Sequence, residues 1–325
     1  MIIVSRLAPS PTGVLHLGNV RTFLWAWLSA RAQNGKVILR IEDLETRGKP
    51  GVTERMLDDL IWLGLDWDEG PRLPLDASSA PYIQSQRRET YKQAHAQLAA
   101  AGAIYPCTCS RADIAAAQSA PHEGDVEPRY PGTCRGKYAT ERDAQLAIGD
   151  SARQPAWRLI VPPGEVAFDD LLYGMQRIDV AASVGDFVVA KAPDNPAYQL
   201  AVAADDIAMG VNEVVRGDDL IPSTARQMLI YRALGAADTI PRYGHVPLVV
   251  GPDGKRLAKR HGDARISSFR ERGLSARRII GVLARWSGLH VSGDVSAKEL
   301  LPLWSWKAVS KERVILTPER LAEFT

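Results

Sequence analysis

The sequence predicts an α/β fold in which helices cover both faces of a parallel sheet. An α+β segment is inserted into this fold, and a small helical module follows it. Residues 1–65 alternate between short apolar runs and amphipathic stretches, and the same alternation returns at Tyr198. Such alternation of strands and helices is typical of a parallel sheet with helices packed against it.

The first half of the sheet is predicted from residues 1–65. The run "MIIVSRL" is a short buried strand, and apolar residues between Val20 and Leu28 follow helical spacing, which predicts a helix over 19–34. Gly35 is a suitable residue to end that helix. The run "KVILRIED" is the second strand, and residues 52–65 form the second helix.

The predicted organisation has four segments. The first half of the core covers 1–78, and an insertion covers 79–195, with helices over 90–103 and 110–118 and antiparallel strands at "WRLIVPP" and "DFVVAKA". The second half covers 196–262, with a helix from Tyr198, the strand "NEVVRG", a helix over 223–234 and the strand "HVPLVV". Residues 263–325 are predicted to be wholly helical.

Composition excludes several classes of protein. The formal net charge of the 325 residues is only +2, so no global basic field indicates nucleic acid, although nine Lys and Arg face two acidic residues between Lys255 and Arg278. No apolar run is long enough to span a membrane, and the N-terminus lacks the features of a signal peptide. Three cysteines argue against a disulfide scaffold. We therefore expect a cytoplasmic protein without a membrane partner.

Charged residues follow the predicted strands of the core. Arg6 and Ser10 follow the first strand, Glu42 the second, Arg216 the third, and the segment "GPDGKRLAKR" the last. Ligands of open parallel sheets bind beyond the carboxyl ends of the strands, so these groups are expected at one edge. Arginines, a carboxylate and a lysine-rich loop there would suit a small zwitterion beside a polyphosphate.

The stretch "SPTGVLHLGNV" joins the first strand to the first helix. Its glycines would let the backbone approach a ligand, and free N–H groups at the start of the helix would favour an anion, with His16 as a donor to phosphate. The alternative is that His16 only caps the helix. The pattern is not GxGxxG, so a nicotinamide dinucleotide is not indicated.

Five motifs together carry a resemblance to a known family. In order they are "RLAPSPTGVLHLGN", "RIED", "YQLAVAADD", "VVRGDDL" and "DGKRLAKRHG", and they resemble the catalytic domain of glutamyl-tRNA synthetases. These are class I aminoacyl-tRNA synthetases with a Rossmann-type core. "HLGN" stands in the place of the HIGH motif and "RLAKR" in the place of KMSKS. The resemblance covers about residues 1–290.

The resemblance implies roles for individual residues. Glu42 would hold the ammonium of L-glutamate, while His16 and Lys259 would be catalytic and would flank the phosphates of ATP, which is used with Mg²⁺. The remaining contacts implied are Arg6, Ala8, Ser10, Tyr198 and Arg216 for glutamate, and Gly18 and Asn19 for ATP. Which arginine binds which carboxylate stays open. Asn19, Arg256 and Ala258 depart from the family pattern.

The cysteines predict a metal site. Close thiolates at Cys107, Cys109 and Cys134 favour structural Zn²⁺ over a disulfide, with His122 the first candidate for the fourth ligand by base rate. The spacing C-x-C…Y-x-x-x-C also resembles the zinc pattern of glutamyl-Q tRNA(Asp) synthetases, short paralogues of the glutamyl enzymes. That resemblance implies Tyr130 instead. Three cysteines without a metal are the alternative.

The resemblance to these paralogues implies a two-step reaction. Glutamate would be activated by ATP without tRNA and then transferred to queuosine, the wobble base of tRNA(Asp), by a monomer. About sixty residues follow the lysine loop in this sequence, so we expect no anticodon-binding module of the kind that glutamyl-tRNA synthetases carry. Three alternatives stay open: a truncated glutamyl-tRNA synthetase charging a 3′ end, another HxGH-type nucleotidylyltransferase, and a degenerate paralogue that binds RNA or glutamate without catalysis.

Overall fold

The computed structural model describes residues 2–44, 50–116, 129–149, 153–255, 257 and 263–324. The strands in these ranges are β1 (Val4–Leu7), β2 (Lys36–Leu39), β3 (Ile104–Cys107), β4 (Ala156–Leu159), β5 (Glu165–Asp170), β6 (Gly174–Asp179), β7 (Val188–Ala192), β8 (Asn195–Pro196), β9 (Glu213–Gly217), β10 (Arg242–Val246), β11 (Val249–Val250) and β12 (Val314–Ile315).

The α-helices in the same ranges are α1 (Leu17–Arg31), α2 (Val52–Trp62), α3 (Arg88–Ala100), α4 (Arg111–Ala116), α5 (Glu141–Ile148), α6 (Val180–Ser183), α7 (Tyr198–Ala208), α8 (Ile221–Ala233), α9 (Ile266–Glu271), α10 (Ala276–Trp286) and α11 (Pro318–Ala322). Short 3₁₀ turns connect several of them, the longest at Ala77–Tyr82 and Lys298–Leu303.

A parallel sheet forms the centre of the fold. β1 pairs with β2, β9 pairs with β10, and β5 joins the free side of β10, all in parallel. The carbonyl of Val4 accepts a 3.0 Å hydrogen bond from the N–H of Asn212, which places β1 beside β9. The strand order is therefore β2, β1, β9, β10, β5, with β6 antiparallel at the edge.

Helices pack on both faces of this sheet, as predicted. On β2, Val37 and Leu39 are buried in a cluster with α1 and α2, whereas Ile38 is buried in a cluster with α3, α7 and α8. On β9, Val215 and Val214 divide between the same two clusters. Because neighbouring side chains of a strand point to opposite faces, the two clusters lie on opposite sides of the sheet.

The insertion contains a hairpin that the sequence analysis missed. The antiparallel pairing of β4 with β7 is confirmed, but β5 and β6 form a second hairpin, whose first strand belongs to the central sheet. Buried and exposed residues alternate along β5, and its only apolar residues, Val166, Ala167 and Phe168, lie between Glu165 and two aspartates. A short strand of that composition does not stand out from a polar loop in a sequence.

The segment after residue 262 is not wholly helical, which corrects the prediction. Between α10 and α11 lies β12, which pairs in parallel with β11, Val314 lying opposite Val249. Two paired residues are too few to produce a periodic pattern. The ring of Trp306 also packs so closely on β10 that a Cβ at Gly244 would lie 2.3 Å from it. The four segment boundaries themselves stay predictions.

In the part of the chain that the structure describes, the helices are all too short or too polar to cross a membrane.

Candidate active site and cysteine cluster

A cleft of about 620 Å³ lies at the carboxyl ends of β1 and β9. Eight of the predicted site residues line it: Ala8, Ser10, His16, Gly18, Asn19, Glu42, Tyr198 and Arg216. Arg6 is buried and does not line the cleft, and Lys259 lies outside the described residues. Residues distant in sequence thus meet at one edge of the sheet, as the strand order predicts.

His16 caps α1 with its side chain. Its Nδ1 accepts hydrogen bonds from the N–H groups of Gly18, at 3.1 Å, and Asn19, at 3.4 Å. The side chain of Asn19 in turn accepts from the backbone N–H of His16, which completes a reciprocal cap. Because Nδ1 is an acceptor, the proton of the neutral ring lies on Nε2. A Cβ at residue 18 would lie 3.1 Å from the ring, so glycine gives the imidazole its room.

The expectation of free N–H groups at the start of α1 is wrong. The N–H of Leu17 donates to the carbonyl of Ala264 at 3.0 Å, and those of Gly18 and Asn19 are taken by His16. The positive end of the helix dipole still faces the cleft and favours an anion there. Capping and phosphate recognition by His16 are therefore compatible, because each role uses a different ring nitrogen.

Glu42 belongs to a buried network of charges. Arg40 is fully buried and donates to Glu42 at 2.9 Å and to Asp206 at 2.6 Å. Burial raises the pKa of Glu42, and the charges of Arg40 and Arg6 oppose that shift. Burial works against the charged form of Arg40, yet its acidic neighbours raise its pKa well above the ordinary value. The network thus holds a carboxylate at the cleft.

A second carboxylate, Asp205, fixes the network to the neighbouring helices. It accepts hydrogen bonds from Gln84 at 2.7 Å, Arg87 at 2.7 Å and the hydroxyl of Tyr91 at 3.0 Å. It also lies 3.7 Å from Arg40. Since Asp205 has no exposed side-chain surface, these donors supply the stabilisation that water would otherwise give.

Arg6 lies behind the cleft. Its Nη1 donates to the carbonyl of Val215 at 3.3 Å, and its Nε lies 3.7 Å from Asp206. Burial lowers the pKa of Arg6, and the charge of Asp206 opposes that shift. The structure thus gives Arg6 a role in the buried network, while its contact with a ligand stays a prediction.

Arg216 is held from three sides. Its Nη1 donates to Gln227 at 2.8 Å, its Nη2 to Thr224 at 2.7 Å, and its Nε to the ring of His245 at 3.2 Å. The opposite ring nitrogen of His245 lies 2.6 Å from Asp170, the last residue of β5. These contacts fix the plane of the guanidinium at the wall of the cleft.

The lysine loop is held at both ends. Before it, β11 pairs with β12, and the N–H of Leu316 donates to Val250 at 2.8 Å. After it, Arg265 bridges to His16, and the N–H of Ile266 donates to the carbonyl of Leu15 at 2.9 Å. The segment that carries Lys259 therefore starts and ends at the cleft. Arg256 and Ala258, like Lys259, lie outside the described residues.

The basic residues that follow this loop are largely paired within the chain. Arg265 contacts Asp263 at 2.6 Å, Arg270 contacts Asp58 at 2.5 Å, and Arg277 contacts Glu299 at 2.6 Å. They therefore form an ion-paired face that is exposed to solvent. The arrangement does not single them out as phosphate ligands.

The three cysteines come together at the end of β3. Cys107, Cys109 and Cys134 have sulfur atoms within 4.8 Å of one another. The Tyr130 oxygen lies 3.3 Å from Cys107 and 3.8 Å from Cys109, and Cys109 lies 3.5 Å from Cys134. Zn–S bonds of about 2.3 Å place the ligands of a tetrahedral site roughly 3.8 Å apart. The four side chains fit that geometry, whereas His122 lies outside the described residues.

A buried arginine adjoins the cysteine cluster. Arg158 donates to Cys107 at 3.2 Å, and its guanidinium lies 3.7 Å from the centre of the Tyr130 ring. It also donates to the carbonyl of Asp186 at 2.7 Å. The positive charge of Arg158 therefore lies directly against the sulfur of Cys107.

Several residues of the site were not predicted individually. Arg40 and Asp206 stand inside the quoted motifs "RIED" and "YQLAVAADD", so a signal existed, but no role was assigned to either. Asp170 had no such signal, because the strand that carries it was itself missed, and His245 stands in the predicted strand "HVPLVV" but outside the five motifs.

Comparison with known proteins places this fold and site in one class. The family model for class I tRNA synthetases (E and Q), catalytic domain, matches residues 2–300. A solved glutamate tRNA ligase from Elizabethkingia meningosepticum, in complex with its amino acid, aligns with 100% of this chain and 69% of its own, at a TM-score of 0.80 and 27% identity. The chain therefore has the catalytic fold of the class I tRNA synthetases for glutamate and glutamine.

Sequence relatives narrow the family further. The Glutamyl-Q tRNA(Asp) synthetase of Symbiobacterium thermophilum is 47% identical over 324 residues, which cover 99% of this chain and 98% of that protein. That of Nitratidesulfovibrio vulgaris is 46% identical over 289 residues, 89% and 87% of the two chains. The Glutamate--tRNA ligase 1 of Acidithiobacillus ferrooxidans is 37% identical over 99% of this chain, but the match covers only 65% of that longer protein. The chain belongs to the glutamyl-Q tRNA(Asp) synthetase family.

Proposed function

We propose that this protein activates L-glutamate with ATP and then transfers it to queuosine in tRNA(Asp). The observation that carries the activation step is the cleft at the carboxyl ends of the strands, where a buried carboxylate and a fixed arginine face a capped helix. The transfer step is supported by a relative named Glutamyl-Q tRNA(Asp) synthetase, which matches this chain over nearly the whole length of both proteins.

The chemistry of the cleft suits adenylate formation. Arg216 would bind a carboxylate of glutamate, Glu42 would bind its ammonium beside Arg40, and Ala8, Ser10 and Tyr198 would complete the pocket. His16, through Nε2, and Lys259 would stabilise charge on the phosphates, and Gly18 and Asn19 would lie against the nucleotide with its Mg²⁺. Attack of the α-carboxylate on the α-phosphorus of ATP would then release pyrophosphate, with catalysis resting on positioning.

We expect glutamate-dependent exchange between ATP and pyrophosphate with the protein alone. Eight of the residues proposed for glutamate and ATP line one cleft in the chain alone, and none of their proposed roles calls for a group of the tRNA. The measurement is incorporation of labelled pyrophosphate into ATP, with aspartate and glutamine as controls of amino-acid choice. Exchange that appears only when tRNA is added would contradict tRNA-independent activation, and no exchange under either condition would favour a protein that only binds.

The acceptor step follows from the adenylate. A hydroxyl of queuosine would attack the carbonyl carbon of glutamyl-adenylate. The bond from that carbon to the phosphate oxygen would break, so that an ester forms and AMP is released. We propose a monomer as the active form.

We also propose that Cys107, Cys109, Tyr130 and Cys134 hold one structural zinc ion. Their mutual distances suit a tetrahedral site, and the N–H of Cys134 donates to the Tyr130 oxygen at 2.9 Å, which favours that oxygen as an electron-pair donor. Arg158 would offset the negative charge that three thiolates bring. The metal would fix the loops after β3 to one another.

One zinc per chain is expected in the purified protein, and Tyr130→Phe should lose most of it. The phenol oxygen is the only atom that this substitution removes, so the packing of the ring is kept. Metal content by elemental analysis is the measurement, with His122→Ala as the matched variant of the other candidate ligand. Retained zinc in Tyr130→Phe together with loss in His122→Ala would assign the fourth position to His122.

A further inference from the structure

Arg216, at the wall of the cleft, is connected through His245 to a carboxylate that lies two strands away in the sheet. Asp170 ends β5, His245 lies on β10, and Arg216 lies on β9, so the three side chains cross three neighbouring strands. The Asp170–His245 contact is 2.6 Å and the His245–Arg216 contact is 3.2 Å. Asp170 and His245 have no exposed side-chain surface, so water does not complete their bonding.

The contacts fix the protonation of the ring. An arginine Nε always carries hydrogen, so the Nε2 of His245 must accept the bond from Arg216. The hydroxyl of Thr224 lies 3.2 Å from the same nitrogen and, since it accepts from Nη2 of Arg216, its own hydrogen is available to Nε2. The proton of the neutral imidazole therefore lies on Nδ1 and is donated to Asp170. Burial lowers the pKa of His245 and the charge of Arg216 acts in the same sense, although Asp170 opposes them. The rings of Phe168 and Tyr243 make up the adjacent aromatic surroundings.

Asp170 is itself fixed by the backbone. Its Oδ1 accepts from the N–H groups of Leu172 at 3.0 Å and Tyr173 at 2.9 Å, in the turn between β5 and β6. Its Oδ2 accepts from the backbone N–H of His245 at 3.1 Å as well as from the ring. The same N–H of His245 also approaches Oδ1, at 3.4 Å, so the two oxygens share this donor, and rotation of the carboxylate would break the closer contacts of both.

We propose that Asp170 and His245 are positioning residues that orient Arg216 for the carboxylate of the substrate. Described partners use four of the five N–H groups of Arg216, since Leu220 accepts from Nη2 in addition to Thr224. One N–H on Nη1 remains for a ligand. The inference rests on the proposed role of Arg216 in binding glutamate. It makes the hairpin within the insertion part of amino-acid recognition.

Asp170→Asn is the sharpest test. The N–H groups of Leu172 and Tyr173 hold the amide oxygen in the place of Oδ1, so the amide nitrogen faces His245 and donates to Nδ1. The backbone N–H of His245 loses its bond to Oδ2 and keeps only the longer, 3.4 Å contact with the oxygen in the place of Oδ1. The ring proton then moves to Nε2, where it meets the N–H of Arg216. We expect the KM for glutamate to rise roughly 10–100-fold, the loss seen when a group that orients a ligand is removed. The KM for ATP and the kcat of exchange should change little.

Two companion variants separate orientation from folding. His245→Gln offers an amide oxygen to Arg216 and should keep more glutamate affinity than His245→Leu, which offers none. Asp59→Asn removes a carboxylate of α2 that is also buried but remote from the cleft, and it should leave both KM values unchanged. A parallel rise of the KM for glutamate and for ATP in Asp170→Asn would show a general structural defect and would overturn the proposal.

Nitrogen-15 spectra provide a readout that does not depend on activity. Histidine-labelled protein contains six imidazoles, and His245→Gln identifies the signals that belong to residue 245. We expect Nδ1 protonated and Nε2 unprotonated in the parent protein, and the reverse in Asp170→Asn. A protonated Nε2 in the parent overturns the inference. Failure of the parent protein to bind glutamate in a calorimeter would overturn the proposed function and the substrate part of the inference, while the spectra still decide the hydrogen-bonded chain.

Discussion

tRNA(Asp) that carries queuosine is expected to accept glutamate, and the same tRNA without queuosine is expected to accept none above background. Queuosine adds vicinal hydroxyls to the wobble base, and an unmodified guanine offers no such nucleophile. The measurement is incorporation of labelled glutamate into the two tRNA preparations, with release by mild alkali showing that the bond is an ester. Phosphate contacts would make binding salt-sensitive without altering this choice.

The controls separate a base from a 3′ end as the acceptor. Periodate destroys the diols of both queuosine and the terminal ribose, so periodate alone cannot distinguish them. Removal of the 3′-terminal adenosine should leave acceptance by queuosine-containing tRNA(Asp) intact. Charging of tRNA(Glu), or of queuosine-free tRNA(Asp) with an intact 3′ end, would instead indicate a glutamyl-tRNA synthetase that charges 3′ ends.

Replacement of Arg40 by methionine is expected to lower the free energy of unfolding by about 3–5 kcal/mol, the cost of removing one partner from a buried set of charges. Glu42 and Asp206 would lose their closest cation, and little of either side chain is open to water, since they are 9% and 3% exposed. Urea denaturation followed by tryptophan fluorescence measures the change. Glutamate-dependent exchange should fall with it, because Glu42 would no longer be held.

The loss of unfolding free energy in Arg40→Met should depend on pH. Burial already raises the pKa of Glu42, and loss of Arg40 removes the largest opposing effect. A carboxyl with a raised pKa in the folded state stabilises the fold at low pH and loses that contribution as pH rises through the raised value. The deficit should therefore be smaller at pH 5 than at pH 8.

Arg88→Met is the matched control for Arg40→Met. Arg88 contacts Asp194 at 3.4 Å, but its side chain is 73% exposed, so the two charges are screened by water. Loss of such an exposed pair should leave the unfolding curve within experimental error. An equal effect of the two substitutions would mean that the network around Arg40 contributes no more than a surface pair.

Local sequence patterns predicted much of the core. They also predicted the side of the cleft that is formed by the start of α1. α1, α7 and α8 have apolar spacing that shows their burial, and the predicted bounds differ from the observed ones by a few residues. The stretch around His16 was also informative, since a capping residue contacts backbone only two or three positions away. Such features are encoded within one or two turns of chain.

What could not be predicted depends on the register of distant strands. Asp170 and His245 are 75 residues apart, and they meet only because β5 pairs in parallel with β10. The salt bridge between Arg40 and Asp206 likewise joins residues 166 apart. A buried ion pair has no signature in a single sequence, because each member is an ordinary polar residue until its partner is known.

The pairing of β11 with β12 also bears on how the protein folds. Val249 and Val314 lie opposite one another although 65 residues separate them, so closing that contact costs more chain entropy than forming a local turn. The strand that leads into the lysine loop is thus anchored by a late, long-range event. The ATP side of the cleft and the module after residue 262 should consequently gain and lose structure as one cooperative unit, because Val249 of β11 lines the cleft and β12 belongs to that module.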